Sequence, residues 1–308
     1  MYKQHTDHES AHLIKRRSAK LGVRLLLACL RLSSKFPYGV QMSLGSLAGR
    51  VVFHSARKRR AIAARNLELC FPEMTIAERQ ELLRAHFRSL GRALFESGLA
   101  YWAPDERLRD LLRISGMDNL QAALARGHGV ILIAGHFTSM ELGGRLLALV
   151  ADFDVVFRPF SNPEIDAIVY AGRHRAVKKA IPKKSFRQFL RGLKANRAIL
   201  VTVDQATTAR NKVMAPFFAV PAPTSINVAR IAQKTAAAVL PVLWLRESDL
   251  SGYRVEIGAA LTDFPSGDAL TDASRINALI EEQIRQAPEQ YYWIHRRFKA
   301  EPSPYDSK

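Results

Sequence analysis

The sequence predicts an α/β fold with a central, largely parallel sheet flanked by helices, preceded by an N-terminal helical region suited to a membrane surface. Three observations carry this expectation. After Pro104, short β-type runs at 130–133, 153–157, 198–203 and 239–244 alternate with helical segments, the rhythm of strands joined by helical crossovers. Before about residue 105 the apolar residues recur at helical spacing only. The first 55 residues combine an apolar run with interspersed arginines.

Residues 21–32 hold a leucine-rich run in which Arg24 and Arg31 are seven positions apart, so on a helix they share one face. Such a basic amphipathic helix fits a headgroup interface. A spanning helix needs about 20 mainly apolar residues, and Arg24, Arg31 and Lys35 interrupt any such window. The following 36–49 stretch is uncharged but short. Interfacial attachment is the first expectation, one tilted span the second, and a helical hairpin packed on the protein itself the third. A small-residue cleavage site is missing, which argues against a secretory signal. Arg57, Lys58, Arg59 and Arg60 then form a polybasic cluster of the kind found on the cytosolic side of membranes.

Thr75 and Glu78 have capping-box spacing, followed by Leu82, Leu83, His86, Phe87, Leu90 and Leu94 on a helical period. Further helices are expected near 139–150, 162–177, 185–195 and 224–236. An antiparallel strand at 253–257 follows the Ser251-Gly252 turn, and a last helix spans 272–286. No internal repeat or linker separates further units.

With 308 residues, nearly half apolar, the chain can bury a substantial core. Lys and Arg outnumber Asp and Glu by 46 to 28, a formal charge of +18, which attracts nucleic acid, anionic lipid or an acidic protein. Helix-turn-helix, RNP and zinc signatures are missing, so nucleic acid is not expected. Cys29 and Cys70 make neither a disulfide framework nor a metal cluster. No metal and no cofactor are expected.

The chemistry concentrates at Gly135-His136-Phe137-Thr138-Ser139-Met140-Glu141. A buried strand should end at Ala134 and a helix begin at Ser139, which puts His136 at a carboxyl-end turn, where ligands bind in open α/β sheets. Five helical steps would separate His136 and Glu141 by about 140°. If His136 precedes the helix, it can fold back so that Glu141 holds one ring nitrogen while the other takes a proton from a hydroxyl. Thr138-x-x-Glu141 is equally a capping box, and a histidine in a turn is often structural. The Gly-x-Ser-x-Gly elbow of serine hydrolases is absent.

The His136-x4-Glu141 spacing after a hydrophobic strand resembles the His-x4-acid motif of glycerolipid and lipid A acyltransferases. Further segments resemble the lipid A biosynthesis late acyltransferases, the lauroyl/myristoyl acyltransferase family. They are Arg65-Asn66-Leu67-Glu68-Leu69-Cys70-Phe71-Pro72-Glu73-Met74, Arg158-Pro159-x-x-Asn162-Pro163, Asp204-Gln205, Pro216-Phe217-Phe218-Ala219 and 287–299, which reads Ala-Pro-Glu-Gln-Tyr-Tyr-Trp-Ile-His-Arg-Arg-Phe-Lys. They run in family order over nearly the whole chain.

The resemblance implies transfer of a fatty acyl group from acyl carrier protein to a hydroxyl of an anionic lipid A precursor, by direct attack. A lysophospholipid, ornithine lipid or other glycolipid is the alternative acceptor. It implies His136 as general base with Glu141 as its partner. Arg158, Asn162, Asp204 and Gln205 are implied as substrate-binding residues, with Asp204 meeting a substrate hydroxyl or orienting Arg158. Phe217 and Phe218 are expected as walls of the acyl site or as plain core. Relatives often carry glycine at the Ala219 position. The expected division is 1–55 as membrane-associating helices and 56–308 as the acyltransferase domain, at the cytoplasmic face of a bacterial inner membrane, peripheral or held by a single span. Between Asp166 and Asp204 there are ten Lys or Arg residues and no acid, the expected docking surface for the acidic carrier and the phosphorylated lipid.

Overall fold

The protein is described by a computed structural model covering residues 21–160, 162–183, 185–207, 211–299 and 303–305. Residues 1–20 of the expected N-terminal region, Lys184 and the Arg175 side chain lie outside the described residues. Among the described residues, five helices come first: α1 (Leu21–Ser33), α2 (Tyr38–Ser55), α3 (Arg57–Cys70), α4 (Ile76–Trp102) and α5 (Asp105–Arg109). The expected capping box opens α4. The Thr75 hydroxyl accepts from the Glu78 N–H, and the Glu78 carboxylate accepts from the Thr75 N–H at 2.7 Å.

Helices α1 and α2 lie on α4. A Cβ on Gly91 of α4 would stand 2.0 Å from the Gly45 carbonyl oxygen, and one on Gly49 would stand 2.1 Å from that of Phe87. Only glycines allow backbones to approach so closely. The hairpin packed on the protein is therefore present, yet its outer side remains apolar: Leu25, Leu26, Leu32, Leu47 and Val51 are exposed. Arg24 does not face open solvent alone, because its guanidinium donates to Glu164 at 2.9 and 2.8 Å. Among the described residues no helix is long and apolar enough to cross a membrane, so the single-span alternative finds no support there.

The α/β part follows as β1 (Leu112–Ser115), α6 (Met117–Ala125), β2 (Val130–Ala134), α7 (Met140–Leu147), β3 (Phe153–Phe157), α8 (Pro163–Ala176), β4 (Lys179–Pro182), α9 (Phe186–Lys194) and β5 (Ala198–Thr202). Then come β6 (Lys212–Phe217), β7 (Val220–Ser225), α10 (Asn227–Thr235), β8 (Ala238–Arg246), β9 (Tyr253–Ile257) and α11 (Ala269–Gln286). The main sheet has the order β1-β9-β8-β2-β5-β3-β4. Strands β8, β2, β5, β3 and β4 are mutually parallel, and β9 is antiparallel to β8, as expected for 253–257.

All five residues of β2 are buried, the signature of a parallel strand covered on both faces. Val130, Leu132 and Ala134 join the core beneath α4 and α7; Ile131 and Ile133 join the smaller core beneath α9 and α10. The sequence pattern missed the edge strands β1 and β4 and the β6–β7 ribbon. Residues 224 and 225, expected to start a helix, instead end the strand β7. Three prolines hide this ribbon, pairing as Pro216 with Pro221 and Met214 with Pro223. Its turn, Phe218-Ala219, has positive φ at both positions, 50° and 61°, the geometry of a two-residue hairpin loop that favours glycine.

Candidate active site

Strands β2 and β5 are paired with Ala134 opposite Thr202. Continuing that register two residues past each strand sets His136 beside Asp204. The Asp204 carboxylate accepts from His136 Nδ1 at 2.6 Å and from the His136 backbone N–H at 2.9 Å. The Tyr291 hydroxyl donates to the same carboxylate. Asp204 is 2 % exposed. Burial alone would raise its pKa, but the adjacent imidazole and these three hydrogen bonds hold it down at about 2. An ionised acceptor at Nδ1 fixes the proton on that nitrogen and leaves Nε2 as the ring's acceptor.

Glu141 does not make the ring contact expected of it. It lies in the first turn of α7 and pairs with the Arg173 guanidinium of α8, whose Nε is 3.3 Å from Oε2. The Tyr101 hydroxyl is also bonded to Glu141; burial, with that carboxylate beside it, pushes the phenol up. His136 precedes α7, but its Nδ1 is taken by Asp204, and Glu141 in the first turn of the helix meets Arg173 of α8 instead. Nor is it a cap: Ser139 occupies the N-cap without a side-chain bond, and the Thr138 hydroxyl meets Ser89 at 2.7 Å.

The 287–299 segment straps this turn in place. Gln290 O accepts from the Thr138 N–H at 2.7 Å, and His136 O accepts from the Tyr292 N–H at 2.9 Å. Asn66 of α3, buried, donates to Trp293 O at 2.6 Å and to His295 O at 2.8 Å. His295 Nε2 accepts from the Ala206 N–H at 3.2 Å, two residues past Asp204, and burial lowers its pKa to about 4. Deeper, Ser89 also accepts from Arg246 (3.1 Å), which forms a buried pair with Glu96 at 2.5 Å.

A cavity of about 1200 Å³ opens over the carboxyl ends of β2, β5 and β3. His136, Glu141, Arg173, Arg158 and Gln205 line it together; Arg158 and Gln205 are exposed there. Among the described residues that line it, Glu141 is the one carboxylate, against six Lys or Arg side chains. Asp204 lies behind His136 rather than on the cavity wall.

The other expected residues are elsewhere. Asn162 does not line the cavity; its side-chain oxygen caps α8, accepting from the Glu164 and Ile165 N–H groups. Phe217 and Phe218 are core, 0 % and 6 % exposed. The β6–β7 ribbon turns them onto each other, with Tyr291 and Phe298 against Phe217. Residue spacing gave no sign of Arg173, Tyr291 or His295. Arg173 was one of ten cations in an acid-free run, while Tyr291 and His295 reach the site only through the fold of the 287–299 strap.

The family profile described as bacterial lipid A biosynthesis acyltransferase matches residues 11–300. The chain is 37 % identical over 277 residues to the lipid A biosynthesis palmitoleoyltransferase of Escherichia coli K12, covering 90 % of each protein. It is 33 % identical over 289 residues to the lauroyltransferase of the same organism, covering 94 % of this chain and 93 % of the relative. To the myristoyltransferase it is 24 % identical over 297 residues, covering 94 % and 90 %.

Proposed function

The chain belongs to the bacterial lipid A biosynthesis acyltransferase family, and on that premise we propose that it transfers a fatty acyl group from acyl carrier protein to a hydroxyl of a lipid A precursor. The observation carrying this reading is an imidazole held by a buried carboxylate at the wall of an apolar, cation-rich cavity. His136 Nε2 takes the proton of the acceptor hydroxyl as its oxygen attacks the thioester carbonyl. The C–O bond forms, the C–S bond breaks, and the imidazolium returns its proton to the departing thiolate. Ester and carrier thiol result, with no change of oxidation state.

Asp204 keeps the ring in one tautomer and stabilises the imidazolium that forms, the part a buried carboxylate plays behind any such base. Arg158 serves the substrate phosphate or the developing oxyanion, and Gln205 offers an amide to the acceptor. Glu141 acts on the same cavity through Arg173 and Tyr101. The acidic carrier and anionic acceptor both suit the cationic lining.

Attachment to the cytoplasmic face of the inner membrane is part of the proposal. Exposed Leu25, Leu26, Leu47 and Val51 lie on helices that also expose Arg31 and Arg50, with exposed Lys35 in the turn between them, a combination that favours an anionic interface.

The test is transfer by purified protein from a panel of acyl carrier protein thioesters to lipid A precursor, lysophospholipid or ornithine lipid, read by mass spectrometry. The expected result is one added acyl group on the lipid A precursor. Acylation of lysophospholipid or ornithine lipid alone would transfer the reading to that acceptor, and no acylation at all would defeat it.

A further inference from the structure

The cavity is lined from both faces of the sheet. Leu200 and Val201 are neighbours on β5, an interior strand, so their side chains point to opposite faces; both line the cavity. Val155 and Val156 of β3 repeat the pattern. A single cavity touching both members of each pair bends over the carboxyl ends of the strands and has two apolar arms. One, under α4, is walled by Ala100, Tyr101, Phe153 and Trp244; the other, under α9 and α10, by Ile181, Phe189, Val228 and Ile231. His136, at the carboxyl end of β2, lies where the two arms join.

Charge distinguishes the arms. On the α4 side the cations are compensated, Arg173 by Glu141 and Arg145 by Asp105. Beside the other arm stand Lys183, Arg230 and Lys234, all exposed lining residues and none in an ion pair among the described residues. An apolar slot with an uncompensated cationic mouth matches an anionic amphiphile, head on the cations and chain in the slot.

We infer that the α9–α10 arm binds a hydrocarbon chain of the phosphorylated acceptor lipid, with Lys183, Arg230 and Lys234 holding its anionic group. The α4 arm is thereby left to the donor's acyl chain. This rests on the acyl-transfer reading above, in which two lipid chains must meet at His136.

Steady-state kinetics of the full chain tests it. Ile231→Trp fills the arm; Arg230→Glu with Lys234→Glu inverts the mouth at exposed positions that folding tolerates. Both variants are expected to raise the KM for the phosphorylated glycolipid acceptor tenfold or more while the thioester donor KM stays within twofold. With a dephosphorylated acceptor, the charge variant is expected to match wild type, whereas Ile231→Trp still raises the acceptor KM. A raised donor KM with the acceptor KM unmoved, or no change in either from the charge variant, overturns the inference. Wild-type protein that acylates no lipid at all would instead overturn the acyl-transfer reading on which it stands.

Discussion

Asp204 holds His136 at two points, the ring Nδ1 at 2.6 Å and the backbone N–H at 2.9 Å. One carboxylate therefore fixes both the imidazole and the turn that carries it. The geometry follows from the pairing of β2 with β5, which brings together residues 68 positions apart in sequence.

The first prediction concerns acid stability. Asp204 has a folded pKa of about 2, below the value of about 3.9 for an unfolded aspartate. The carboxylate contributes on the order of 2–3 kcal/mol, fully present above about pH 4 and lost as pH falls towards 2. Urea unfolding of wild type and Asp204→Asn should differ most near neutrality and converge at low pH. A gap independent of pH would mean that the carboxylate does not carry the stabilisation.

Glu141 and Arg173 should behave as a unit. A double-mutant cycle with Glu141→Gln and Arg173→Met is expected to give a coupling of about 1–3 kcal/mol in kcat/KM. Additive effects would separate the two residues functionally.

Asn66→Ala removes two buried donors to the strap, at Trp293 and His295, and the acceptor of the Tyr305 hydroxyl at 2.5 Å. Stranded carbonyls predict a loss of about 2–4 kcal/mol in denaturant unfolding. Activity should fall at temperatures where the variant remains folded, since the strap also holds His136 and Thr138.

Ala219→Gly should stabilise the protein. Ala219 has φ of 61°, a left-handed conformation costing an L-residue about 1–2 kcal/mol, partly offset by the greater freedom of unfolded glycine. A net gain of about 0.5–1 kcal/mol, seen as a higher melting temperature, is expected.

His136 was legible because a histidine directly after a continuous apolar run lies at a strand's carboxyl end in any parallel sheet. Asp204 was legible as a resident of the same edge, but its contact with His136 depends on which strand lies next to β2. Local pattern does not encode that adjacency: β5 enters between β2 and β3 only after two further crossovers. Glu141, read as the partner of His136, shows the opposite case: it meets Arg173 of α8, a contact between separate helices that spacing within one segment does not encode. Phe217 and Phe218 stayed open between acyl-site wall and plain core because the prolines of β6 and β7 hid the ribbon that turns them into the core. Gly45, Gly49 and Gly91 were unread as a contact because nothing in the uncharged 36–49 stretch names the helix it packs on.

The most direct measurement is the single-turnover rate of acyl transfer from acyl carrier protein thioester to lipid A precursor by wild type, His136→Ala and Asp204→Asn, with folding checked by circular dichroism. The account predicts near-complete loss for His136→Ala and a fall of roughly 10²–10⁴-fold for Asp204→Asn, as when the carboxylate behind a catalytic histidine is neutralised. Wild-type rates in folded His136→Ala or Asp204→Asn protein would contradict it.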